Sequence, residues 1–243
     1  MNIYLQITLL ILVVIAPGLL TYFLKKLHPN SIKLLLSFSG GFLLSIAFIH
    51  FIPELYIKNS EKVGLFILLG FLFQVILEFL SKGIEHGHTH VKANTSAFLV
   101  MMIGLSIHAL IEGIPLAGDY HGHEHAHDHS GSFTIFTGIM IHKLPVAISL
   151  TTLMLGSNLK LKGILVNLFI FSLMAPIGLI IGKTLHTESL FEGQILDFVF
   201  AMVIGMFLHI STTIIFESSE GHKFNLYKFL SILLGFGIAI LLH

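Results

Sequence analysis

The chain of 243 residues contains no cysteine, so disulfides and thiolate metal sites are excluded and any soft-metal chemistry falls to histidine or methionine. Arginine is absent too. All 13 basic residues are lysine, balanced by 13 acidic ones to a net charge of zero, which argues against a nucleic-acid partner. Charge of either sign is scarce, at 11% of residues, where an average soluble domain carries about 25%. With 55% apolar residues and a mean hydropathy of +0.92, the chain has too little polar surface to be a soluble globule, and a lipid bilayer is the surrounding it fits. Histidine alone runs against this poverty of polar groups: there are 16, more than the acidic residues, and eight of them crowd into two short stretches.

A bilayer core of about 30 Å needs roughly 20 apolar residues at a rise of about 1.5 Å each. Eight segments qualify, near 3 to 24, 33 to 54, 63 to 82, 96 to 117, 133 to 155, 162 to 183, 195 to 216 and 225 to 242. The last is the shortest and carries Lys228. Met1 to Leu20 has no basic region ahead of its apolar run and no small-residue cleavage site, so it reads as a retained helix. The polar stretches 83–95 and 118–132 are too short to bury a core, and residues 1–243 read as a single transmembrane domain.

Lysine placement supplies orientation, because basic loop residues stay on the cytoplasmic side. One set of alternate loops holds Lys25, Lys26, Lys33, Lys82, Lys92, Lys160, Lys162, Lys223 and Lys228, nine in all. The opposite set holds only Lys58, Lys62 and Lys183, and Lys143 lies within a helix. Both termini are therefore expected outside the cytoplasm. A seven-helix reading would lose this asymmetry.

Ionisable groups inside a membrane cost about 2.5 to 3.5 kcal/mol each on insertion scales, so each asks for an explanation. In the fourth segment His108 and Glu112 are four residues apart, share a helical face, and can offer a nitrogen and a carboxylate to one point. That pair suits zinc or a related borderline metal, and a His–Glu hydrogen bond satisfying two buried groups is the plain alternative. His142 in the fifth segment lies at similar depth, and a short loop between antiparallel neighbours is expected to bring the two helices together. Three converging protein ligands with room for water make a labile site, which a transporter needs.

Pro145 cannot bond the carbonyl of Ile141 beside His142, and Pro53 frees the carbonyl of Ile49 near His50 and Glu54. Such kinks are common where a membrane protein lines an aqueous cavity. Alternatively, Pro53 simply ends its helix. In the seventh segment His209 and Glu217 are candidate exit-path residues, with Ser211, Thr212 and Thr213 back-bonding to their own helix as the bland alternative. Glu78 is assigned to a surface pair with Lys82 one turn later.

The runs Gly40 to Glu54 (GGFLLSIAFIHFIPE), His108 to Gly113, His142 to Pro145 and Ser172 to Gly178 (SLMAPIG) together resemble ZIP metal transporters. The resemblance implies an all-α polytopic membrane protein of eight transmembrane helices in a 3+2+3 inverted-repeat bundle. It further implies a metal pathway between the second, fourth, fifth and seventh helices, inward movement of zinc or related ions, and a primary site at His108, Glu112 and His142. Departures from the family pattern are Ala109, Lys143, Val146 and Ala175, which stand where relatives carry secondary-site ligands. A single-metal site follows, with Lys143 placed roughly where a second ion sits in binuclear relatives. Snorkelling, or pairing with another carboxylate, is the structural alternative for this lysine.

The tract from Asp119 to His129 reads DYHGHEHAHDH and faces outward by the lysine pattern. It contains a formal H-E-x-x-H, but a repeat with histidine at every second position generates that pattern without the regular helix a zinc protease needs. Its histidines are His121, His123, His125, His127 and His129; a second tract, on the cytoplasmic side, holds His86, His88 and His90. Both are expected to bind metal as auxiliary tracts, gathering it at the entrance and receiving it within, against the alternative of solvated loops without consequence. Deleting residues 121–129 is expected to slow uptake mainly at low metal concentration, and an unchanged concentration dependence would exclude the entrance role.

The expected activity is therefore transport rather than catalysis, with no cofactor and with Zn²⁺, Fe²⁺, Mn²⁺ or Cd²⁺ as substrate, since nitrogen and oxygen ligands accept all four. Partners are the metal ion and the lipid bilayer, and the oligomeric state, a homodimer included, is left open by the sequence. An intramembrane zinc-dependent hydrolase, a metal-sensing receptor and a proton-coupled exporter are the competing functions. The hydrolase lacks a serine or second carboxylate beside Glu112, and the exporter lacks paired carboxylate motifs. A short chain without a targeting extension suits a prokaryotic inner membrane.

Overall fold

The computed structural model describes residues 2–24, 29–58, 62–81, 95–118, 130–157, 159–187, 194–217 and 225–241. Among them every regular element is helical, as a bilayer requires of a chain that must satisfy its own backbone polar groups. The elements are α1 Ile3–Leu24, α2 Pro29–Ile46, a π-turn Ala47–Phe51, α3 Ile52–Lys58, α4 Val63–Ser81, α5 Thr95–Gly113, a 3-10 turn Ile114–Ala117, α6 Ser130–Gly156, α7 Leu161–Thr187, α8 Gln194–Glu217 and α9 Leu226–Leu241. With α2, the π-turn and α3 continuous, these make seven helices long and apolar enough to span, plus the shorter α9, and the protein is an eight-helix polytopic membrane protein. Its 16-residue α9 reaches about 24 Å at 1.5 Å per residue. Asn225 Oδ1 accepts the Lys228 backbone N–H at 3.3 Å and caps its start.

The pattern of burial is that of a protein dissolved in hydrocarbon. Phe79 is 84% exposed and Leu241 85%, while Gln74, Ser39, Ser149 and Glu112 are fully buried. Polar groups turn inward because lipid cannot hydrogen-bond them. Ser211 and Thr212 take the bland course: their hydroxyls donate to Phe207 O and Leu208 O within α8.

Pro53 does not end its helix. The chain widens into the π-turn just before it, and the Ile52 N–H donates to Ala47 O, five residues back. The extra residue absorbs the misfit of a proline that cannot bond Ile49, and α3 continues to Lys58. Pro145 lies inside an unbroken α6.

Helix pairing shows an internal two-fold relation. Number the spans 1 to 8, with α2 to α3 as span 2. Span 2 packs on span 8 and span 3 on span 7; span 4 packs on 6 and 1 on 5; spans 1 and 2 pack on 6 and 7. Exchanging 1 with 6, 2 with 7, 3 with 8 and 4 with 5 maps these six pairings onto one another, while the packing of span 3 on 4 and of span 2 on 5 has no equal counterpart; an odd number of crossings separates each exchanged pair, so the repeats are inverted. The crossings agree in detail. A Cβ on Gly41 would strike Ile232 and one on Gly235 would strike Phe38, while Gly205 meets Ile67 and Gly70 meets Met202. Close backbone approach through glycine is a common means of helix association in membranes. Gly205→Ala should therefore overpack the α4–α8 crossing, at a cost of about 1–3 kcal/mol. Thermal melting in detergent should show the loss, whereas Gly237→Ala, with nothing within 4 Å of its Cβ, should not lower the midpoint.

Candidate metal centre

The site lies between two helices that meet through side chains rather than through close backbone contact. Helices α5 and α6 are not among the closely packed pairs: α5 lies on α7 and α4, and α6 on α1 and α2. The short connection nevertheless brings the two helices near enough for their side chains to meet, as the sequence-based expectation has it. Gly113, Gly178 and Gly182 seat α5 and the following 3-10 turn against the backbone of α7, which draws α5 toward that helix. The interval left beside α6 is crossed by side chains, and a histidine facing a carboxylate needs that much room.

Four of those side chains meet. Glu112 Oε1 lies 2.7 Å from His108 Nε2 and 3.8 Å from His142 Nε2. Its other oxygen, Oε2, accepts from Lys143 Nζ at 2.7 Å. One ligand atom each from His108, Glu112 and His142 lies within 4.8 Å of the others, and this is the one such group of three among the described residues. Their side chains are 2%, 0% and 1% exposed. The two imidazole rings stand edge to face, 5.9 Å apart at 76°. Phe207 flanks His142, and the Lys143 ammonium lies over the Phe171 ring at 5.5 Å, a placement that favours a cation.

Gln74, on α4, completes the arrangement. Its Oε1 accepts from His108 Nδ1 at 2.9 Å. A proton held on Nδ1 leaves the Nε2 lone pair facing Glu112 Oε1, and two electron-rich atoms at that separation are stable only when a proton or a metal ion joins them. Outer-shell partners of this kind set the tautomer and orientation of ligating histidines.

Other sequence-selected residues fall elsewhere. His50 sits in the π-turn and Glu54 in the first turn of α3, both half-buried, and neither is among the three residues of the His108 group. His209 faces Glu78, with its Nε2 in direct contact with Glu78 Oε2; the expected partner of Glu78, Lys82, lies outside the described residues. Glu217 is the last residue of α8. The histidines of both rich tracts lie outside the described residues. Ala109, Val146 and Ala175 are buried, apolar and without donors, at 0%, 2% and 2% exposure. Sequence reasoning missed Gln74, although a lone amide in an otherwise apolar span was signal enough.

A family profile described as ZIP Zinc transporter matches residues 82–243, a stretch that includes His108, Glu112, His142 and Lys143. The chain belongs to the ZIP zinc transporter family. It is 26% identical over 117 residues to "Zinc transporter ZIP9" of Micropogonias undulatus, covering 47% of this chain and 36% of that protein. The identity to "Zinc transporter ZIP9" of Xenopus tropicalis is likewise 26% over 117 residues, or 47% and 37%. "Protein zntD" of Dictyostelium discoideum is 29% identical over 176 residues, 65% of this chain and 25% of that protein. The match thus spans little more than a third of each curated relative, or less. These relatives are eukaryotic and lend no support to a prokaryotic inner membrane as the location.

Proposed function

We propose that this chain carries divalent metal ions, zinc foremost, across the membrane toward the cytoplasm, and that it does so through one intramembrane site held by His108, Glu112 and His142. The observation that carries the reading is the convergence of two nitrogens and a carboxylate oxygen within 4.8 Å, fully enclosed, on two helices whose backbones stand apart. Two imidazoles and a carboxylate with a fourth position left to water bind zinc without locking it in. Zinc is ranked first because relatives in the family bear the name zinc transporter; iron, manganese and cadmium suit the same donors.

One ion rather than two follows from the far side of Glu112. Its Oε2 is engaged by Lys143, and a bridging carboxylate needs that oxygen for a second metal. The same contact disfavours hydrolysis: with Oε1 beside His108 and Oε2 on Lys143, Glu112 has no oxygen in hand to activate water. External termini rest on the lysine asymmetry, and inward direction on the resemblance to ZIP transporters. All four groups of the site come from a single chain, residues 1–243 acting as one transport domain, so a second copy is not needed to complete it.

The test is Zn²⁺ entry into liposomes containing the purified chain, followed with an internal indicator. Entry should fall to the passive leak in His108→Ala. Undiminished entry in that variant would sink the assignment, and cleavage of lipid or peptide without entry would make the chain an enzyme.

A further inference from the structure

The donors of the centre accept several divalent ions, but their arrangement does not serve those ions equally. Zinc is satisfied by four ligands in a tetrahedron, whereas Mn²⁺ takes six, chiefly oxygen. A carboxylate meets the larger demand by turning both of its oxygens onto the ion, as it does for calcium. Selection at His108, Glu112 and His142 therefore turns on whether ligands beyond the fourth are to be had.

Lys143 closes off the nearest of them. Its Nζ donates to Glu112 Oε2 at 2.7 Å, while Oε1 looks toward the histidines, 2.7 Å from His108 Nε2. An ion that took both oxygens would share Oε2 with an ammonium, placing two cations on one atom among side chains at most 2% exposed, where charge is poorly screened. Withdrawal of the ammonium is costly, because away from Glu112 it would be a buried charge parted from its carboxylate, and the Phe171 ring lies over it at 5.5 Å. Gln74 Oε1 is committed as well, accepting from His108 Nδ1 at 2.9 Å. Ala109, Val146 and Ala175 are buried beside the centre and bring no side-chain donor.

The geometry points to Lys143 as the residue that sets which metal the centre accepts. By occupying Oε2 it holds Glu112 to one metal–oxygen bond, so the chain offers an ion two imidazoles and a single carboxylate oxygen, with water as the fourth ligand. That set suits four-coordinate Zn²⁺ and leaves Mn²⁺ under-supplied. The inference rests on the metal site assigned above. Lys143 touches Glu112 rather than the ion, and is a positioning residue.

Cobalt reads the geometry directly, because four-coordinate Co²⁺ absorbs visible light intensely and six-coordinate Co²⁺ weakly. The purified chain loaded with Co²⁺ should show the intense band once the spectrum of His108→Ala is subtracted to remove any contribution of the histidine-rich tracts. Lys143→Leu frees Oε2 without adding a donor, and Co²⁺ on the histidine side supplies the positive charge that Glu112 has lost. In that variant the band should weaken and shift as the carboxylate turns both oxygens onto the metal. A weak band in the unaltered chain overturns the proposal with no variant needed, and so does a spectrum that Lys143→Leu leaves unchanged. In liposomes, the Mn²⁺ concentration that halves Zn²⁺ entry, divided by the half-saturating Zn²⁺ concentration, should fall about tenfold or more on Lys143→Leu, within the range that partners of metal ligands control. General damage to the fold would move both concentrations together and leave that ratio where it was, an outcome that also overturns the proposal. Absence of Zn²⁺ entry together with the expected cobalt spectra would instead refute transport and leave the role of Lys143 standing.

Discussion

Replacing Glu112 with alanine is expected to abolish transport and also to destabilise the folded chain by about 3–5 kcal/mol, the usual cost of stranding one member of a buried ion pair. Both effects follow from a single carboxylate with two faces. Oε1 looks toward the two histidines and Oε2 toward Lys143. Removing it takes away the one carboxylate of the proposed site and leaves an ammonium group 2% exposed with, among the described residues, the Phe171 ring to stabilise it. The effects separate in a double variant. Glu112→Ala with Lys143→Met deletes both charges, and apolar replacement of a whole buried pair is often neutral or stabilising. Thermal melting followed by circular dichroism should show the double variant recovering most of the lost stability, while liposome flux stays at the leak. A double variant as unstable as the single one would mean that Lys143 is not the source of the loss.

The parts of this molecule that were legible from sequence are those set locally. Apolar run length places the spans, because bilayer thickness imposes one scale on all of them. The spacing of His108 and Glu112 puts both on one helical face, and the structure has them 2.7 Å apart. Helix partners were not legible in the same way. Between spans in lipid there is no hydrophobic contrast to exploit, and small residues decide which backbones approach. Glycine at 41, 70, 205 and 235 does this work, yet each is one of 22 glycines in the chain, and nothing local distinguishes them. The repeat that would have done so is short: Ile67 to Phe71 and Ile232 to Phe236 both read ILLGF, five residues within long apolar runs. Chain adjacency does bring the side chains of α5 and α6 together, but the closest backbone partners of α5 are α7 and α4, and those of α6 are α1 and α2. Glu78 shows the same limit. Its sequence neighbour Lys82, a partner at helical spacing, lies outside the described residues, while the observed contact with His209 spans 131 residues of sequence and has no local signal.

Lys143→Asp is expected to convert the centre from one metal to two. In the unaltered chain the ammonium satisfies Glu112 Oε2 at 2.7 Å, and the surrounding positions Ala109, Val146 and Ala175 offer no side-chain donor. Substitution with aspartate removes the competing cation and adds a carboxylate beside that oxygen, so Oε2 and the new group together form an oxygen-rich half-site sharing Glu112 with the first ion. Without metal the two carboxylates repel at close range in a medium that screens poorly. The variant should then melt well below the parent when stripped of metal, and recover by mass action as Zn²⁺ is added, by about 2.7 kcal/mol at a free concentration one hundred times the dissociation constant. Bound metal per chain should rise by about one relative to the parent measured side by side, since the histidine-rich tracts contribute equally to both and cancel in the difference. Unchanged stoichiometry with unchanged flux would mean that Lys143 only neutralises a buried carboxylate, and that the single-ion character of the centre comes from its apolar walls.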